Sequence, residues 1–276
     1  MRLIHIRNII HTFVPNITTM KRIQHTLRIL LAVAVAACVS LPAAAQQSGL
    51  KGKKVLFVYG GWDGHEPRQC MEVLKPWLES EGASVRLSQS LDVYTDKELM
   101  QGTDLIIQTW TMGSITPEQE RGLLDAVRGG AGLAGWHGGL CDAFRSNTDY
   151  QFMVGGQWVA HPGGSVDYDV DIKDKRDPVT RGLKRFHMKS EQYYMLVDPG
   201  VHVLATTTFR SHPEAPWIEG TVMPVVWKKS FGKGRVFYSS LCHSASDFAV
   251  PEALEIMKRG IRWAAASRQT SAGAKK

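Results

Sequence analysis

The chain has 276 residues, with 33 Lys+Arg against 26 Asp+Glu and a formal net charge of +7. Arg2, Arg7, Lys21, Arg22 and Arg28 stand in a leader that holds no acid, so the body is nearly neutral and offers no basic stripe for nucleic acid. The length left after a leader suits one α/β domain with a well-buried core.

From Met20 the chain reads as an export signal: Lys21-Arg22 and Arg28, an apolar run over residues 29–41, then Ala43-Ala44-Ala45. The run is too short for a membrane span. Residues 1–45 are therefore expected to be a signal peptide, with 1–19 an extension ahead of a better start codon, and the protein to be periplasmic or secreted. Val35-Ala36-Ala37-Cys38 also fits a lipoprotein cleavage box. Val39 is not the small polar residue that usually follows such a cysteine, and Ala43 and Ala45 offer the ordinary peptidase a good site. Cys70, Cys141 and Cys242 are odd in number and widely spaced, which points to no disulfide framework.

Val55-Leu56-Phe57-Val58-Tyr59 is a continuous apolar run ending at Gly60-Gly61, the pattern of a strand buried on both faces of a parallel sheet. Pro67 opens a helix with Cys70, Val73, Leu74, Trp77 and Leu78 on its inner side, and Gly82 stops it. A strand over 83–87, a short helix over 95–100 and an apolar strand over 104–110 follow. Thr116-Pro117-Glu118-Gln119 supplies an N-cap, a first-position proline and first-turn acid for a helix that buries Leu123, Leu124 and Val127. A strand over 132–136 runs into His137-Gly138-Gly139. This alternation predicts an open, mainly parallel twisted sheet with helices on both faces.

Further on, residues 165–173 alternate apolar side chains with Asp167, Asp169 and Asp171, as a half-solvated strand does. Residues 201–207 read as another strand, and 222–227 and 234–240 flank Gly232-Lys233-Gly234 as an added β-hairpin. Residues 251–265 form a closing helix with Leu254, Met257, Ile261 and Trp263. The folded domain is placed at 53–266, and the small polar tail 267–276 is expected to be disordered.

In open α/β sheets ligands bind beyond the carboxyl ends of the strands. That rule singles out His65 after the first strand, His137 after the fourth and His243 after the hairpin's return strand. His161, in the Gly-rich loop 155–162, is expected at the same rim. Imidazoles suit both zinc-like coordination and acid–base work. The expected roles are His65, His161 and His243 as ligands of a divalent metal, and His137 and Glu191 as catalytic groups. Trp62, Trp136 and Tyr193 adjoin these residues and are expected to pack on a sugar ring, although core packing explains them equally well. Gly135-Trp136-His137-Gly138-Gly139 has the shape of the sharp turn on which amidotransferases and α/β hydrolases mount Cys or Ser. An imidazole at that place cannot form their acyl intermediates, and Cys141 is off the required position.

The chain resembles the ThuA-like (trehalose utilisation) family over Lys53 to Ala265. The likeness rests on Gly64-His65, Gly135-Trp136-His137-Gly138-Gly139, Gly155-Gly156 with His161-Pro162, Glu191-Gln192-Tyr193-Tyr194, and the run from Gly232 to Tyr238 leading to His243. The resemblance implies a class I glutamine amidotransferase-like (flavodoxin-like) fold without the amidotransferase triad. It also implies a role in carbohydrate use, often beside sugar oxidoreductases that make 3-keto-glycosides. Many relatives carry Gly in place of Cys242 and an acid in place of Gln192.

Residues and resemblance together predict a metal-assisted enzyme acting on oxidised (3-keto) sugars or glycosides by elimination, hydrolysis or isomerisation. A 3-keto group acidifies the C2 proton, a divalent metal steadies the ketone oxygen, and a His or Glu base takes the proton. The alternative is a non-catalytic carbohydrate-binding or accessory protein, and a third reading is a hydrolase using Cys141 or Cys242. The expected partner is a small-molecule sugar, with neither nucleic acid nor a membrane span.

Overall fold

The computed structural model describes residues 49–267. The export signal with Cys38, and the tail beyond Ser267, lie outside the described residues. Among the described residues no helix is long and apolar enough to cross a membrane.

Strand β1 (Lys54–Gly61) buries Val55, Leu56, Phe57 and Val58, as a strand covered on both faces must. Helix α1 (Pro67–Ser80) starts at its proline and turns Cys70, Met71, Leu74 and Leu78 inward. Val73, expected on that face, is exposed instead, because the buried stripe follows positions 67, 70, 71, 74 and 78. β2 (Ser84–Ser88), α2 (Lys97–Gly102), β3 (Leu105–Thr111), α3 (Pro117–Arg128) and β4 (Gly132–Trp136) complete the alternating half. α3 carries a full capping box, Thr116 Oγ1 accepting from Gln119 N–H while Gln119 Oε1 accepts from Thr116 N–H.

The second half runs α4 (His137–Cys141), α5 (Thr148–Val154), β5 (Gly156–Ala160), β6 (Ser165–Ile172), β7 (Phe186–Glu191), β8 (Tyr194–Val197), β9 (His202–Thr208), β10 (Val222–Phe231), β11 (Gly234–Ser239) and α6 (Pro251–Ala265). One nine-stranded sheet has the order β2-β1-β3-β4-β11-β10-β9-β6-β7. Its pairs are parallel from β2 to β11 and antiparallel from β11 to β7. The expected hairpin β10–β11 is thus the seam between the two halves. Residues 155–162, expected as a loop, instead contain β5, which pairs with β8 in a separate two-stranded sheet.

Helices cover both faces. The side chains of α1 and α6 join one core with Phe57, Ile107 and Phe237, while those of α2, α3 and α5 join the other with Leu56, Ile106 and Val236. Adjacent residues of β1 and β3 therefore serve opposite cores, which is why their sequences are apolar without alternation.

Candidate functional site

β1, β3, β4 and β11 are neighbours and run parallel, so their carboxyl ends open on one rim. His65 ends the 3-10 turn that follows β1, Thr111 is the last residue of β3, His137 opens α4, and Ser240 and His243 follow β11. Among the described residues, the non-glycine positions with positive φ are Glu66, Met112, His137 and Cys242. Each is one of these site residues or adjoins one in sequence. Left-handed backbone costs a non-glycine residue ~1–3 kcal/mol, and such strain concentrates at functional sites. Cys242 at φ 71° takes a conformation that glycine would adopt without that cost.

The glycines around His137 are there because neighbours approach closely. A Cβ on Gly135 would lie 2.6 Å from Gln108 O, one on Gly139 2.6 Å from Thr109 Cα, and one on Gly138 2.4 Å from His65 Cε1. Buried polar side chains then hold the carbonyls of this short helix. Tyr238 Oη donates to His137 O (3.1 Å), Gln108 Nε2 to Gly139 O (3.2 Å) and Tyr150 Oη to Leu140 O (2.8 Å).

Glu191, at the end of the far edge strand β7, completes the site. Ser190 Oγ donates to Asp247 Oδ2 at 2.6 Å, and the same oxygen accepts His243 N–H at 2.9 Å, tying β7 to the loop after β11. Glu66 Oε2 accepts Ala245 N–H at 3.0 Å and ties in the loop of His65. Ligand atoms of His65, His137, Glu191 and His243 all fall within 4.8 Å of one another. Glu191 Oε2 lies 3.0 Å from His137 Nε2, 3.2 Å from His243 Nδ1 and 3.9 Å from His65 Nε2.

The far ring nitrogen decides what His137 presents. Its Nδ1 is 2.8 Å from Ser240 O, and a carbonyl only accepts, so Nδ1 carries the proton and Nε2 faces the centre as a lone pair. Burial pushes this imidazole down to about 4, against the pull of Glu191, and it is neutral near pH 7. Burial alone would raise the Glu191 carboxyl, but the hydrogen bonds that the His243 and His65 rings can donate hold it well below the carboxylate range. The hydrogen bond to Glu191 raises His243. A carboxylate oxygen and an imidazole lone pair that face each other at 3.0 Å repel unless a cation or a proton lies near both. His243 Nδ1, 3.3 Å from His137 Nε2, can supply that proton, and a metal ion could take its place.

His137 also sets an acid limit on the cation-free fold. Its folded value of about 4 lies below the unfolded 6.5, so the unfolded chain takes up this proton first and stability falls as pH drops through that window. The loss should reach ~2 kcal/mol by pH 5. Urea unfolding at pH 7 and pH 5 should show the wild type losing more than His137→Gln, and equal losses would contradict it.

The structure sorts the sequence expectations. His65, His137, His243 and Glu191 come together. His161 stands just outside, its Nδ1 3.8 Å from Glu191 Oε1 and without a hydrogen-bond partner. It lies outside the four-residue group, on the Oε1 side of Glu191, with its ring near-parallel to Tyr193 at 6.0 Å. Trp136, expected to meet a sugar, is 2% exposed and packs on Phe57 and Phe248 in the core. Tyr193 is also 2% exposed and stacks on His137 at 3.8 Å, so it supports an imidazole ring rather than offering an open face. Trp62 alone of the three aromatics stays open, 46% exposed and edge-on to His65. Gln192 turns away to donate to Thr207 Oγ1 and Thr208 O.

No thiol belongs to this cluster. Burial pushes Cys70 up to about 12, and Cys141 and Cys242 are buried and raised well above the usual thiol value. An alkylating reagent at pH 8 should label none of the three before unfolding, and rapid native labelling with loss of function would return them to consideration. Asp174, Asp177 and His202 form the other group of ligand-type side chains among the described residues. Buried Lys228 already pairs with Asp177, and His202 with Asp174, so that group fixes a loop.

The sequence reading missed Thr111, Ser240, Asp247 and Tyr238. Tyr238 sits inside a run that reads only as strand, Thr111 lies one residue past the expected strand 104–110, and Ser240 acts through its backbone. The cluster Ser244-Ala245-Ser246-Asp247, full of capping residues, was the available signal for Asp247.

The family model described as ThuA, trehalose utilisation, matches residues 54–264. Among solved structures, a ThuA-like protein from Parabacteroides merdae is similar at 19% identity and TM-score 0.65, over 80% of this chain and 92% of that one. A ThuA-like protein from Bacteroides uniformis is similar at 18% identity and TM-score 0.66, over 82% of this chain and 95% of that one. At such identities the likeness is one of fold. No curated protein matches the sequence. Since the family model spans nearly the whole described region and its fold is the one seen here, the chain belongs to the ThuA (trehalose utilisation) family.

Proposed function

We propose that this chain is a metal-assisted enzyme acting on oxidised (3-keto) sugars or glycosides. The observation that carries the reading is the convergence of three imidazoles on Glu191 Oε2, one of them fixed with its lone pair forward by the Ser240 carbonyl. Three imidazoles and a carboxylate suit a zinc-like ion better than magnesium or calcium, which prefer oxygen. His65, His137, Glu191 and His243 would hold it. Such an ion, when bound, supplies Lewis acidity at a substrate carbonyl oxygen and so acidifies the adjacent C–H.

The chain's own residues handle the proton. The His161 ring stands beside the four with its side chain 35% exposed, so this imidazole can accept the C2 proton of a 3-keto sugar. Returning that proton to the departing glycosidic oxygen completes an elimination, and returning it to carbon completes an isomerisation. Trp62 gives the rim one apolar face for the sugar. Export, and supply of the keto substrate by sugar oxidoreductases, belong to the same proposal.

A non-catalytic sugar-binding role draws support from Trp62 alone, because Trp136 and Tyr193 are withdrawn from the surface. Aglycone release from a 3-keto-glycoside, followed with and without a chelator, separates the readings. The enzyme reading expects release that stops on chelation and returns with added zinc. Sugar binding without any turnover would favour the other.

A further inference from the structure

We propose that Thr111 is a positioning residue for His65, and that its hydroxyl lets His65 exchange tautomers when a cation binds; the second half rests on the metal-site reading above. His65 Nδ1 and Thr111 Oγ1 are 2.8 Å apart and buried, and His65 Nε2 points toward Glu191 Oε2. Thr111 has little freedom to move away. Its carbonyl accepts Trp62 N–H at 3.0 Å, a Cβ on Gly61 would lie 2.2 Å from that carbonyl, and one on Gly138 would lie 3.0 Å from Thr111 Cγ2. The residue is clamped between the loops that carry His65 and His137.

The partners of the two buried imidazoles differ in kind. Ser240 O can only accept, so His137 has one tautomer and a permanent lone pair at Nε2. A threonine hydroxyl both donates and accepts. With no cation bound, the Thr111 O–H donates to Nδ1, which places the His65 proton on Nε2, facing the Glu191 carboxylate. Coordination through Nε2 needs that proton on Nδ1, and the same hydroxyl then turns to accept it. Neither ring has to move. Valine fills the same space and offers neither bond, whereas serine keeps both.

The test titrates zinc into wild type, Thr111→Val and Thr111→Ser by calorimetry and records the 15N shifts of the His65 ring before and after. Loss of a partner to a ligand's far nitrogen lowers metal affinity about 10–100-fold, so Thr111→Val should fall in that range while Thr111→Ser stays close to wild type. In wild type the His65 proton should sit on Nε2 without zinc and on Nδ1 with it. Tight wild-type binding that Thr111→Val leaves unchanged, or a His65 tautomer that zinc does not alter, overturns the inference alone. A wild type that binds no zinc overturns the metal-site reading and the tautomer exchange with it, and a variant that still changes the His65 15N shifts would then leave only the positioning role standing.

Discussion

Glu191→Gln should weaken zinc binding by more than a hundredfold while leaving the protein folded. The carboxylate is the anion on which His65, His137 and His243 converge, and it lies partly buried where water screens little. Loss of an outer partner to a ligand costs about 10–100-fold, and loss of a charged ligand should cost more. Glutamine keeps the shape but turns a neutral amide toward the His137 lone pair. The fold should tolerate it, because His137 is already neutral and no buried charge is stranded. Calorimetric titration together with a thermal melt measures both halves. Zinc affinity within threefold of wild type would show that Glu191 is not a ligand.

Two adjacent glycines should respond in opposite ways. Gly138→Ala places a methyl 2.4 Å from His65 Cε1 and 2.7 Å from its Nδ1, so the ring must swing out and the cluster loses that imidazole. Gly138 is not among the positive-φ positions, so the backbone itself accepts alanine. Gly139→Ala instead meets backbone, Thr109 Cα at 2.6 Å, which cannot yield without shifting β3. Overpacking of that kind costs ~1–3 kcal/mol. Gly138→Ala should thus lose zinc binding with a small change in melting temperature, and Gly139→Ala should lose stability. A Gly138→Ala protein that binds zinc like wild type would contradict the assignment of His65.

The alternating half of the fold was legible because its signals are local. The apolar run of β1, the capping box of α3 and the glycine turn between β10 and β11 each declare themselves within a few residues. The rim of histidines was legible for the same reason, since strand ends can be placed without knowing which strands pair. Glu191 was a candidate without a location. β7 alternates buried Phe186, Met188 and Ser190 with more open His187, Lys189 and Glu191, but one of its three inward residues is a serine bonded to Asp247, and that weakens the pattern. β5 and β8 pair only with each other across more than thirty residues, and no local periodicity encodes such a partner.

Sequence proximity misled where side-chain direction mattered. Trp136 adjoins His137 in the chain, but as the last residue of β4 it points into the core of α1 and α6, while the left-handed turn at His137 sends the next side chain to the rim. The same turn explains the run of glycines as a packing requirement. At the place where other folds mount a nucleophile on a similar elbow, it holds the neutral Nε2 of an imidazole toward a carboxylate.

The central claim is that His65, His137, Glu191 and His243 form a cation site. Elemental analysis of protein purified without affinity tags or chelators, then titrated with zinc, tests it most directly. The account predicts close to one divalent ion per chain after titration, and loss of that ion in His137→Ala. Substoichiometric metal that zinc does not raise, in a folded wild-type protein, would contradict it.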